Sequence, residues 1–267
     1  MKLVDFSDPP VVETVLSVGF SPVEGLNGAQ VGQFWTQVQD AFPRVSEQLP
    51  YDMPHERLSD NEGLSLELSV GRSAPKSRFW LTSNDDRQLL QIQRDWFAYN
   101  WRFRPGGTYA DARYAVRRDT FAREFEAFRT FVGDQKLGSV EPRQCEVTYI
   151  NHVEATGSAA DDLSEILQFV SRPSLSRLTS RIETWDTTLT ILLKDESQGV
   201  FGRLHVRAQP GRDGDRRVWQ INLTARGRPV GSGLEGVLKF MDLGHEAIVV
   251  NFKEMTTDHM HQQWGLQ

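Results

Sequence analysis

The sequence predicts an α+β protein made of two tandem β-α-β(3–4)-α modules, residues 1–138 and 139–267, of the TATA-binding-protein-like or helix-grip-like kind, with antiparallel sheets covered by long helices. Three observations lead there. Apolar residues alternate at spacing two in many short segments bounded by turn residues, as half-buried strands require. Two longer segments, 109–132 and one starting at Leu234, carry apolar residues at helical spacing instead. Each of these closes a run of predicted strands, so the same order of elements occurs twice along the chain.

The first strand is Val11 to Phe20, where Val12, Thr14, Leu16, Val18 and Phe20 share a face downstream of Pro9-Pro10. Asn27-Gly28 introduces a helix whose stripe is Val31, Phe34, Trp35, Val38 and Phe42, and Pro43 stops it. The stretch through Pro50 and Pro54 reads as loop. Strands are predicted at Leu64–Val70, Arg78–Ser83, Leu89–Gln93 and Trp96–Phe103, with turns at Asn84-Asp85-Asp86 and Arg94-Asp95. A helix over 109–132 then presents Tyr114, Phe121, Phe125, Phe128 and Val132 to the core.

In the second half, Cys145 to Val153 reads as a long strand and Leu163 to Val170 as a short helix. Strands follow at 182–193, 200–209 and 217–225. The closing helix from Leu234 shows a broad face of Val237, Met241, His245, Ile248, Val249 and Phe252, and Thr256-Thr257-Asp258 recaps a last helical segment ending at Trp264-Gly265. Edge strands of the two modules can pair into a longer sheet, which removes two exposed edges.

The composition, 39% hydrophobic and 25% charged over 267 residues, is that of a soluble globular protein. The single cysteine, Cys145, excludes an internal disulfide and any multi-cysteine metal site. The opening MKLVDFSDPPVVE lacks a signal-peptide profile, and no apolar run reaches the roughly 20 residues of a membrane span, so a cytoplasmic location is expected. The net charge of −6 disfavours a dedicated nucleic-acid binder.

Chemistry-bearing motifs are few. His245-Glu246 lacks the second histidine of a zinc helix because position 249 is Val249, and no phosphate-cradling loop or nucleophile elbow is present, so no metal, cofactor or catalytic residue is assigned. Gly231-Ser232-Gly233 offers either a turn or a small anion at a helix start. Two arginine-rich stretches stand out. Arg94 to Arg129 has a local excess of three positive charges interleaved with Trp101, Tyr114 and other aromatics. Arg203 to Arg228 has an excess of five, with Arg203, His205 and Arg207 on one strand face.

Four phrases, Pro9-Pro-Val-Val-Glu13, Asn100-Trp-Arg102, Glu146-Val-Thr-Tyr-Ile-Asn151 and Asp242-Leu-Gly-His-Glu246 through Trp264-Gly265, resemble a sporadically distributed family of functionally uncharacterised bacterial proteins of about this length. The resemblance implies a cytosolic protein, and the family's patchy distribution implies an accessory or defence-associated role; it supplies no catalytic residues.

From the residues, the expectation is a non-catalytic binding protein for a protein partner or an anionic ligand. Its site is placed at a polar mouth between the two sheets carrying Trp101, Arg102, Asn151 and His245, with Arg203 and Arg207 as a further cationic surface. Two alternatives stand beside it. One is a single-stranded nucleic-acid binder using the arginine faces. The other is an enzyme acting on a small anion in a pocket beneath the closing helix, with His245 or Glu246 as acid–base group.

Overall fold

A computed structural model describes residues 3–58, 77–104, 113–155, 159–171, 184–195 and 199–267. The described elements are β1 (Val11–Phe20), α1 (Gly28–Val38), β2 (Arg44–Gln48), β3 (Arg78–Thr82), β4 (Gln88–Gln93), β5 (Trp96–Arg102) and α2 (Tyr114–Asp134). After them come β6 (Pro142–Glu154), α3 (Ala159–Ile166), β7 (Thr187–Asp195), β8 (Gly199–Asp213), β9 (Arg216–Gly227), α4 (Gly233–Met255) and α5 (Asp258–Gln263). The strand predicted at Leu64–Val70 lies outside the described residues. The predicted loop after Pro43 contains β2, an edge strand whose four leading residues are exposed and carry little alternation to read.

The expectation of two tandem β-α-β(3–4)-α modules with sheets covered by long helices is overturned. The nine strands among the described residues form one antiparallel sheet in the order β2-β3-β4-β5-β1-β6-β9-β8-β7. The joint is β1 against β6, paired from Val11–Asn151 to Phe20–Pro142. The physical reason is that two long amphipathic strands with open edges satisfy more backbone N–H and C=O groups by pairing than by remaining apart. With 40% strand against 30% helix, the helices cannot enclose both faces of so wide a sheet.

One face holds the core. Leu16, Val18 and Phe20 of β1, Phe97 and Tyr99 of β5, Cys145 and Val147 of β6, and Leu223 and Ala225 of β9 are all buried there. Across β1 their register is Leu16–Tyr99 and Val18–Phe97 on one side, Leu16–Val147 and Val18–Cys145 on the other. Helix α2 lays Phe121, Phe125 and Phe128 on this face, and Phe97 meets Phe125 and Phe128 at ring separations of 5.4 and 5.3 Å. Helix α1, capped by Asn27 onto the Ala29 amide, closes the same cluster by packing Phe34 against Phe128.

Helix α4 covers β6 and β9 on the same face. Its approach is close because Gly244 has no side chain: a Cβ there would stand 3.1 Å from Val147 and 3.2 Å from Ala225. The turn before it needs glycine for a different reason, since Gly231 and Gly233 have positive φ values of 117° and 59°. This turn therefore accounts for the glycine pair without an anion. At the other end, Thr257 caps α5 as the sequence indicates. No described helix is long and apolar enough to cross a membrane.

Replacing Gly244 by Val forces α4 away from β6 and β9 and is expected to cost about 1–3 kcal/mol of stability, as overpacking does. The comparison is Gly32→Ala in α1, where the added methyl meets nothing within 4 Å and should stabilise by about 0.5–1 kcal/mol. Urea midpoints of the two variants check both signs.

Candidate functional site

The register of the central strands builds a polar row on the helix-covered face. Thr14 of β1 pairs with Trp101 of β5 on one side and Tyr149 of β6 on the other. Alternation puts all three on the same side as Leu16, so the row continues the core toward the end of the sheet where β1 begins. Arg117, in the first turns of α2, lies over it. Its Nη1 donates to Thr14 Oγ1 at 2.7 Å, and its guanidinium carbon sits 4.9 Å from the Trp101 ring centre and 5.7 Å from that of Tyr149.

Arg117 is only 6% exposed, and its Nε is buried with no hydrogen-bond partner. Burial holds its pKa below the usual arginine value, and the charge neighbours opposing that are the tyrosines Tyr149, Tyr99 and Tyr114. It stays a cation all the same. Among the described residues no carboxylate forms an ion pair with it.

The carboxylate that might have done so is committed elsewhere. Arg118 grips Asp242 of α4 through Nε at 2.6 Å and Nη2 at 2.9 Å, and the Tyr114 hydroxyl donates to the same carboxylate at 2.8 Å. This fork ties the start of α2 to the middle of α4. It also fixes Tyr114, whose ring stacks on His245 at 3.9 Å and 8°. His245 Nδ1 in turn shares a 2.8 Å hydrogen bond with the Tyr149 hydroxyl.

Between the β1–β6 end, the first turn of α2, helix α4 and the segment Leu3–Pro10 lies a cavity of about 470 Å³. Its polar lining is Arg113, Tyr114, Arg117, Tyr149, Asn151 and His245 on the sheet and helix side and Asp5, Ser7 and Gln267 on the opposite wall; its apolar lining includes Pro9, Pro10, Val11, Ile248, Val249 and Phe252. The segment Leu3–Pro10 is held as a wall by backbone bonds to the end of the chain, Ser7 to Gly265 at 3.1 Å and Asp8 to Trp264 at 3.0 Å. Phe6 packs edge-on against Phe252 and Trp264.

Electrostatically the buried part of the cavity, around Arg117, is positive, and the exposed Asp5 carboxylate stands on its outer wall. Burial, then the charge of Arg117, pushes the His245 pKa down to about 4, with Asp242 only partly opposing, so the imidazole is neutral at pH 7. Burial raises the Tyr149 and Tyr114 hydroxyls above the ordinary tyrosine range, so both are protonated donors. The first turn of α2 contains no acidic residue and its N-cap Arg113 makes no side-chain cap, which leaves the positive end of a 21-residue helix beside the cavity.

Of the residues picked from sequence, Asn151 and His245 line this cavity, Asn151 also donating to the Ile221 carbonyl at 3.0 Å. Trp101 lies under Arg117. Arg102 does not join them. Neighbouring side chains on a strand point to opposite faces, so Arg102 lies on the other side of the sheet, bonded to Glu13 at 3.1 Å and placed over Trp80.

Arg203 and Arg207 are also on that other face. Arg203 is closed off by Glu56, which also meets His205 Nε2 at 2.7 Å. Arg207 pairs with Asp186. Glu56 arrives on the extended segment after β2, which is anchored by its own amide to Gln144 at 2.7 Å and by reciprocal bonds between Tyr51 and Gln93. Burial raises the Glu56 pKa, but bonds from His205 and Arg203 outweigh it and leave the carboxyl below its usual value.

Glu246, offered with His245 as an acid–base group, is exposed and does not line the cavity. Cys145 is fully buried and its thiol pKa is raised by burial, the opposite of an activated nucleophile. Among the described residues no group of three His, Cys, Asp or Glu side chains is arranged to hold a metal ion.

The sequence reading missed Arg117 as a site residue. A signal was present: Arg117 stands three residues after Tyr114 and four before Phe121, on the stripe that α2 turns to the core. An arginine on an apolar stripe marks a buried cation. Its neighbour Arg118 falls one step round the helix and became the structural one.

No protein-family model, curated protein or solved structure matches this chain, so function is argued from the geometry alone.

A histidine whose folded pKa is about 4, against 6.5 unfolded, binds its proton more readily in the unfolded chain. Its contribution is therefore complete above pH 6.5 and is lost as pH falls toward 4, by up to about 3 kcal/mol. Urea unfolding across that window should show a shallower pH slope for His245→Gln than for the native chain.

Proposed function

We propose that the protein is a non-catalytic binder of a small organic anion, held in the cavity between the sheet and helices α2 and α4. The observation that carries this reading is Arg117: a guanidinium 94% buried beside the cavity, with one donor on Thr14, a buried Nε without a partner and no carboxylate counter-charge among the described residues. A buried cation of this kind costs several kcal/mol of desolvation that hydrogen bonding to one hydroxyl and two ring faces offsets only in part. An anion entering the cavity supplies the missing charge.

The surroundings support binding over turnover. Tyr114, Tyr149 and His245 are neutral at pH 7, and with the Tyr114 hydroxyl donating to Asp242 and Tyr149 bonded to His245 Nδ1 they leave the hydroxyl lone pairs and the second imidazole nitrogen to meet a ligand. A volume of about 470 Å³ falls within the range of small-molecule sites, roughly 300–1,000 Å³. The nucleic-acid alternative is weakened because several of the arginines that suggested it are committed internally: Arg94 to Glu24, Arg102 to Glu13, Arg203 to Glu56, Arg207 to Asp186 and Arg226 to Glu146.

Replacing Arg117 by Met removes the charge and keeps the length. The unliganded variant is expected to be at least as stable as the native chain, gaining about 1 kcal/mol or more, because an unpaired buried cation is exchanged for an apolar group. In a thermal melt with benzoate as the probe anion, the native chain should rise in Tm by about 5–10 °C at a hundred times its Kd, and Arg117→Met should not respond. A variant that is strongly destabilised would show Arg117 to be structural and overturn the proposal.

A further inference from the structure

We infer that the anion taken by this cavity is an apolar monocarboxylate, with its carboxylate at Arg117 and its hydrocarbon body running along α4 toward Phe252; this rests on the anion-binding reading above. Two independent features of the cavity point to it, the count of charges around it and the order of its lining.

The charge count comes to one. Arg117 is the buried cation of the cavity. Arg118, next to it in sequence, is neutralised by Asp242 through two hydrogen bonds. Arg113 lines the cavity but is exposed, so water and salt screen it. His245 adds no charge at neutral pH. On the wall formed by Leu3–Pro10 stands Asp5, an exposed carboxylate held by the Phe6 amide at 3.0 Å and screened by water and salt in the same way as Arg113. A carboxylate carries a single charge at pH 7, whereas a phosphate monoester carries about −1.5 to −2. The cavity has a counter-charge for the first and a deficit for the second.

The order of the lining gives the rest of the ligand. Along α4 the cavity-facing residues are His245, Ile248, Val249 and Phe252, spaced three, four and seven apart and hence on one helix face. Polarity falls along that face, from the imidazole beside Tyr114 and Tyr149 to Phe252 beside Phe6. Seven residues of helix span about 10 Å, the length of an extended chain of roughly eight bonds. Pro9, Pro10 and Val11 form the facing apolar side. A ligand lying along α4 meets donors at one end and the apolar side chains of Ile248, Val249 and Phe252 after them, with Asp5, Ser7 and Gln267 on the outer wall.

The test is calorimetric titration of the full chain at pH 7 with octanoate, its neutral analogue octanamide, the dicarboxylate suberate, octyl phosphate and the shorter hexanoate and butanoate. Octanoate should bind at least tenfold tighter than octanamide, suberate or octyl phosphate, and affinity should fall about threefold to fourfold for each methylene removed. Arg117→Met should lose the preference of carboxylate over amide and keep the dependence on chain length. Val249→Asn, at the partly exposed apolar lining, should do the reverse. Tighter binding of suberate or octyl phosphate than of octanoate, or affinity independent of chain length, overturns this inference and leaves an anion site standing. Absence of binding by every anion in the set, or equal binding of octanoate by Arg117→Met, overturns the anion-binding reading as well.

Discussion

The antiparallel pairing of β1 with β6 is the constraint from which the site follows. It turns two runs of strands into one nine-stranded sheet and sets Trp101, Thr14 and Tyr149 side by side on three adjacent strands. It also brings α2, lying over β5, next to α4, lying over β6 and β9, because each helix must cover apolar residues on the same face. A cavity opens at the end of the sheet where this helix pair meets the strand that starts after Pro10. Were β1 and β6 not paired, Arg117 would have neither its hydroxyl partner nor its two ring faces.

Two adjacent arginines show how burial separates structure from function. Arg118 and Asp242 form a forked, partly exposed pair that locks one helix to the other. Such a pair is worth a modest amount because water competes for both partners. Arg117 is buried and lacks a carboxylate. In a sequence selected only for stability, that position would hold an apolar side chain like its neighbours on the stripe, Tyr114 and Phe121. A cation kept there at a cost to folding is the feature on which the proposed anion site rests.

The opposite face of the sheet follows another rule. Many of its charged and amide side chains are partnered within the chain, through the Gln91–Asn100–Glu13–Arg102 series and through Glu56 and Glu146 against Arg203, His205 and Arg226. The extended segment carrying Glu56 lies over it so closely that a Cβ on Gly19 would stand 2.6 Å from the Met53 sulfur. Cations in this network already have counter-charges, and so they offer an outside anion far less than their number in the sequence implies.

Local pattern was sufficient for most of the elements. Alternation in β1, β4, β5, β6, β8 and β9, the stripes of α1, α2 and α4, and the caps at Asn27 and Thr257 are properties of neighbours in the chain, and they were legible there. The polarity of Asn151 and His245 at the ends of apolar elements was legible too. What escaped were relations between distant segments. Spacing on a strand could have separated Arg102 from Trp101, but no local pattern says which strands form the joint between the two halves, that Glu56 neutralises Arg203, or that Asp242 pairs with Arg118 and not with Arg117. Those are decided by which surfaces meet when hydrophobic faces are buried together, a contest over the whole chain in which each pairing removes partners from the others. The sequence by itself determined most of the strands and helices and the list of charged groups, β2 being the strand that carried no readable alternation. Only the tertiary structure decided which of those charges would be left without an opposite.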